Sequence, residues 1–204
     1  MHDSKSAISV QNLITEVAGL LEVLAAKDAE VGSSTAQKKN VWLSTWTAAF
    51  WETICREWPS IDQWRMNKVL LLVRLFLRQT FRVGFLAVLN DTSDDKSEST
   101  NLITTQTQLL ESSPLSPRDR KVPDGLRLHV LDVWSEELSG QLKAMQKEQK
   151  QSDESSTKDV ETTLTDSATI FMTGLEKIKK EALSKGVRTR AKEAIETYRE
   201  AMAV

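Results

Sequence analysis

Cysteine is almost absent: Cys55 is the single one in 204 residues, alongside two histidines and one tyrosine. That excludes an intrachain disulfide framework and a multi-cysteine zinc site, and it fits a reducing intracellular compartment. Cys55, set between Ile54 and Arg56, reads as a small buried apolar side chain. Glycine and proline number only 7 and 4, and alternating apolar/polar stretches are scarce, which leaves little room for strands. An excess of one charge is also missing. With 27 Lys+Arg against 29 Asp+Glu and a formal net charge of -2, no global basic field draws the chain to nucleic acid, so any RNA contact needs a local patch. The apolar run around residue 75 is interrupted by Arg74, Arg78 and Arg82, which argues against a membrane span. The opening Met1-His-Asp-Ser-Lys has no basic region followed by an apolar one, so no signal peptide is expected.

What is present is apolar residues at helical spacing. The 40% hydrophobic content is enough for one sizeable core, and the pattern predicts an all-α protein, an irregular antiparallel helical repeat or bundle of the HEAT/armadillo kind with disordered insertions. A first helix is expected over Ala7 to Ala26. A second runs from Val41 to Trp58, with Trp42, Trp46, Phe50 and Trp51 recurring at helical intervals. Pro59 ends it, Ser60 reads as the next N-cap with Gln63 three positions on, and Asp62 suits the first turn. The third helix, Ile61 to about Leu89, is apolar nearly all round and so belongs between other helices.

Residues 90–123 turn polar and proline-punctuated, which reads as a mobile insertion containing one short helix over Leu102 to Glu111. A compact helix follows from Asp124 to about Lys143, then a polar linker over 144–165 and a C-terminal helical segment over 166–204. In that segment Gly186 reads as a helix terminator before a last amphipathic helix from Val187 to Met202. The first 143 residues, with the insertion, form the expected main domain.

Chemistry is thin. His129 and Asp132, three apart on one helix face, are the pair closest to general-base work, but no nucleophile motif, phosphate loop or dinucleotide fingerprint accompanies them. Metal sites fail on ligand count. No catalytic residue, cofactor, metal or small-molecule substrate is expected. The cations of the central helix carry two readings. Arg65, Lys68, Arg78 and Arg82, beside Trp64, form a candidate RNA or partner contact, because guanidinium forks match phosphate oxygens. Alternatively they and Arg74 pair with carboxylates such as Glu52, Glu57, Asp62 or Asp132, or reach into water. The run Lys177, Lys179, Lys180, Lys185, Arg188, Arg190 and Lys192 is interleaved with Glu176, Glu181 and Glu193 and reads as a solvated face. Of the six tryptophans, one or two are free to act as interface anchors.

Two segments resemble the ribosomal RNA processing protein 1 family of nucleolar assembly factors. They are Phe50-Trp51-x-x-Ile54-Cys55-x-Glu57-Trp58-x-x-Ile61-Asp62-x-x-Arg65-x-Asn67-Lys68-x-x-x-Leu72-Val73-Arg74 and Gly125-Leu-Arg-Leu-His129-Val-Leu-Asp132-Val-Trp134-x-Glu136-Glu137-Leu138. Asn67 departs from the Asp usual there. The resemblance implies a non-enzymatic helical scaffold in the nucleus and nucleolus, joining precursors of the large ribosomal subunit through other assembly factors and precursor ribosomal RNA, with no membrane partner. It also implies an N-terminally shortened member, whose first helix is expected to expose an apolar face. A helical protein–protein adaptor with no ribosomal RNA role is the alternative.

Overall fold

Asp62 starts the helix on which the rest of the protein is built. Its backbone is extended (φ -72, ψ 161) and its carboxylate accepts the Arg65 amide at 2.9 Å, which satisfies one of the donors left open in a first turn. Ser60, the expected cap, instead donates its hydroxyl to the Glu57 carbonyl at 2.7 Å and sits in a single 3-10 turn, Trp58–Ser60. The central helix therefore begins two residues later than its sequence suggests.

The computed structural model describes residues 4–32, 41–91, 96–152 and 157–203, and among them the protein is all-α. Its helices are α1 (Ser4–Gly32), α2 (Val41–Glu57), α3 (Gln63–Asn90), α4 (Ser97–Ser112), α5 (Asp124–Ser152), α6 (Thr157–Glu181) and α7 (Lys185–Ala203). As its all-round apolar surface requires, α3 packs against α1, α4, α5 and α6.

Aromatic rings fill the seams. Phe50 of α2 stacks on Phe76 of α3 with ring centroids 3.5 Å apart, and Trp51 meets Phe76 edge-on at 5.6 Å. On the other side of α3, Phe81 touches Trp134 of α5 and Phe171 of α6, both edge-on, at 5.0 and 4.9 Å. Trp51, Trp134, Phe76, Phe81 and Phe171 are all fully buried. Such contacts contribute about 0.5–1.5 kcal/mol per pair beyond the area they bury. One continuous cluster runs from Leu21 through α3 to Ile195 of α7.

Three stretches differ from the sequence expectation. The insertion holds α4, which starts five residues before the expected Leu102 to Glu111 helix and belongs to the core: its Ile103 and Leu110 are fully buried, and beyond it Leu115 and Val122 enter the same core; its residues 92–95 lie outside the described part. Polar composition concealed this burial, because Thr107 returns its hydroxyl to the Ile103 carbonyl (2.8 Å) and the Gln106 side-chain oxygen accepts from Thr47 of α2 (3.0 Å), so these buried oxygens carry their own partners, while Gln106 Nε2 has none among the described residues. Next, α5 continues through the expected linker to Ser152, because Leu142 and Met145, three apart, extend its buried face. Residues 153–156 lie outside the described part. Finally, Gly186 sits in the first turn of α7 rather than ending α6, and no glycine among the described residues has positive φ.

The joint between α1 and α2 is made by Asp28, only 5% exposed, whose two carboxylate oxygens accept the amides of Trp42 (3.1 Å) and Leu43 (2.9 Å). A carboxylate from one helix thus caps the N-terminus of the next, where the helix dipole also favours negative charge.

Candidate functional site

Of the α3 cations, the three at four-residue spacing face other helices. Arg74 donates through Nε to Glu137 Oε1 at 2.5 Å and through Nη2 to Glu136 Oε1 at 2.6 Å. Arg78 donates through Nε to Glu137 Oε2 at 2.6 Å. Both carboxylates lie on α5, so one turn of it pairs with Arg74 and Arg78. Arg82 approaches Glu22 of α1 at 3.5 Å. The internal-pairing reading thus describes this stripe, though with partners other than Glu52, Glu57, Asp62 or Asp132.

The Glu137 side chain is only 3% exposed, whereas Arg74 and Arg78 keep 32% and 39% of theirs in contact with solvent. Burial pushes the Glu137 carboxyl up, but the hydrogen bonds from Arg78 and Arg74 outweigh it and hold the group below the usual carboxylate range. The pattern that would have revealed Glu136 and Glu137 is the adjacent acidic pair beside buried Trp134, on a helix required to pack against α3.

The start of α3 behaves differently. Arg65 pairs only with the neighbouring Asp62 of its own first turn, at 2.5 Å, with 68% of its side chain exposed. Lys68 is exposed. Trp64 is 85% exposed, a large indole open to solvent. The sequence-derived candidates therefore separate into Trp64, Arg65 and Lys68, which are open to a partner, and Arg78 and Arg82, which hold helices together.

His129 donates from Nε2 to the Leu70 carbonyl at 2.9 Å, and Asp132 turns to Arg190 of α7 at 2.8 Å. The two do not form an acid–base relay. Burial drives the His129 imidazole below its ordinary range, against a smaller opposing pull from the Leu70 carbonyl. Among the described residues no group of His, Cys, Asp and Glu is arranged to hold a metal. Several C-terminal cations are paired, Lys179 with Glu176 and Arg190 with Glu193 within a helix, Lys177 with Glu111 and Arg190 with Asp132 between helices.

A second open surface is apolar. On α1, Leu13, Leu20, Val23 and Val31 are exposed, as is Trp42 (61%) at the head of α2, whose backbone amide donates to Asp28 of α1. Ile8–Val31 is long and apolar enough to cross a membrane, and only 17% of it is buried. The opposite side, Ile14, Ala18 and Leu21, is buried, so α1 is anchored along one side and exposed along the other. The sequence reading, centred on α3, overlooked that length; the exposed apolar face it expected on the first helix is there.

A family model described as "Nucleolar protein, Nop52" matches residues 1–203. The chain is 38% identical over 90 residues to mouse ribosomal RNA processing protein 1 homolog B, a match covering 44% of this chain and 11% of that protein. It is 36% identical over 90 residues to the human homolog B, again 44% and 11%. To the Drosophila melanogaster ribosomal RNA processing protein 1 homolog it is 37% identical over 94 residues, 45% and 12%. The matched segment thus spans about a tenth of these relatives.

Proposed function

The chain belongs to the Nop52 nucleolar-protein family, and from that premise we propose that it is a non-catalytic scaffold in nucleolar assembly of the large ribosomal subunit. It supports processing of precursor ribosomal RNA by holding RNA and other assembly factors together, in the nucleus and nucleolus. The observation that carries this reading is the match across residues 1–203. The geometry supports it: among the described residues a cation–indole patch at Trp64, Arg65 and Lys68 and an apolar flank on α1 are exposed. Exposed apolar patches of this kind mark protein contacts, and a solvent-facing indole beside cations suits a partner carrying phosphate.

The apolar flank alone also favours a second reading, a helical adaptor that docks one partner protein and has no ribosomal RNA role. Sucrose-gradient sedimentation of a cell extract, probed for the tagged protein and for large-subunit precursor RNA, separates the two. Co-migration with precursor particles, weakened by salt, is the expected result. Migration as a small free protein, while the particles stay intact, overturns the scaffold reading in favour of the adaptor.

A further inference from the structure

Between α4 and α5 the chain makes a loop with no regular structure, yet it is tightly organised. Arg127, 5% exposed on α5, donates from Nε and Nη2 to the Ser116 carbonyl (3.0 and 2.7 Å), from Nη1 to the Val122 carbonyl (2.6 Å), and from Nη2 also to the carbonyl of Asp119. The Leu183 amide donates to the Pro117 carbonyl at 3.2 Å and fastens the loop to the joint between α6 and α7. Between loop and joint lies a cavity of about 430 Å³. Arg118 and Arg120 both line it, both are exposed, and neither has an ion-pair or hydrogen-bond partner among the described residues. Lys121 adds a third exposed cation next to them. Of the nearby carboxylates, Asp124 is occupied by Arg127 and Asp119 accepts the Lys121 amide. Pro117, Pro123 and Leu183, the last 61% exposed, supply an apolar wall.

We propose that the Arg118–Arg120 loop and the cavity beside it form a binding site for the phosphate backbone of single-stranded RNA. Two free guanidiniums two residues apart on one wall suit successive phosphates of a chain, and each presents a fork matching phosphate oxygens. The apolar wall offers a surface for ribose or base faces, which a site for a lone phosphate does not need. Arg127 removes the cost of ordering the loop on binding, since its carbonyls are already held. The site rests on the scaffold reading for its choice of RNA, but it is separate from the Trp64 patch.

The test is fluorescence anisotropy of the whole chain with a short fluorescein-labelled oligouridylate across a salt series. R118E/R120E, checked for an unchanged melting curve, is compared with R65E/K68E; R118Q/R120Q replaces it if the charge reversal disturbs folding. Loss of about tenfold or more in affinity at low salt, and a log–log salt slope smaller by about 1.4, is expected for the loop variant. Unchanged affinity and slope overturn the site. So does a wild type that ignores oligouridylate at low salt but binds a phosphothreonine peptide through the same arginines. RNA binding through the loop, without co-migration in the gradient, overturns the scaffold reading and leaves the site standing.

Discussion

Gly84, in the middle of α3, lies directly under the ring of Phe171: a Cβ added there would stand 2.8 Å from Cζ and 3.0 Å from Cε2. The ring has nowhere to go, because Phe81 and Phe85 flank it with centroids at 4.9 and 6.2 Å, and Ile103 of α4 closes the same spot. Gly84→Ala is therefore an overpacking change, although alanine is the better helix former. A loss of about 1–3 kcal/mol is expected, against a helix-propensity gain of about 1. Thermal melting checks it; an unchanged or raised Tm would show that the α3–α6 contact is looser than this.

Glu137 serves two guanidiniums at once. Glu137→Gln leaves Arg74 and Arg78 without their shared counter-charge, and because both arginines keep about a third of their surface in water, the expected loss is about 2 kcal/mol rather than the larger value of a fully buried pair. The sign with pH follows from the depressed carboxyl: its contribution is fully present above the ordinary glutamate range and is lost as pH falls through its own lower value. Chemical denaturation from neutral to acidic pH should show the wild type losing this increment and the Gln variant lacking that limb.

His129 acts in a neighbouring window. Its folded-state imidazole titrates lower than in the unfolded chain, so folding favours the neutral ring. Stability is complete above the ordinary histidine range and declines as pH falls through it. His129→Gln should flatten the pH dependence between neutral and mildly acidic conditions, and a curve that keeps its slope would place the titrating group elsewhere.

Charge reversal separates the two halves of the α3 cations. Arg65→Glu with Lys68→Glu should leave the melting curve within about 0.5 kcal/mol of wild type while reducing co-migration with precursor particles. Arg78→Glu places a carboxylate against Glu137 and should destabilise the fold itself. Parallel gradients and melts read both outcomes; fold loss in the first pair would reassign those residues to structure.

Asp28→Ala removes two accepted hydrogen bonds from the first turn of α2. About 1–2 kcal/mol is expected, equivalent to roughly 2–4 °C in Tm per kcal/mol for a chain of this size. Asp28→Asn, which keeps one carbonyl oxygen, should recover part of the loss.

Much of the architecture was legible because its signals are local. The all-round apolar surface of α3 announces its central position, and the spacing of Trp51 and Phe50 announces a wedge. What stayed hidden depends on partners distant in sequence. Glu136 and Glu137 lie about sixty positions from the arginines that they neutralise, and nothing in the cation spacing identifies them. Thr107 and Gln106 look like solvent residues until their hydrogen bonds are seen. Asp62 and Ser60 both fit a cap by composition, and the choice between them follows from backbone direction. Arg127 reads as one more cation, whereas its donors are spent on loop carbonyls; the open positive charge is at Arg118 and Arg120, outside the α3 stripe.

That arrangement around Arg127 also ties the order of one segment to that of another. The loop after α4 contains no ladder of its own, and the carbonyls of Ser116, Asp119 and Val122 converge on a side chain that the first turn of α5 puts in place. The shape of the segment before α5 therefore depends on the helix that follows it, a local dependence running backward along the chain. Amide hydrogen exchange should show residues 118–122 opening together with the first turn of α5, as one cooperative unit rather than as an independent surface loop.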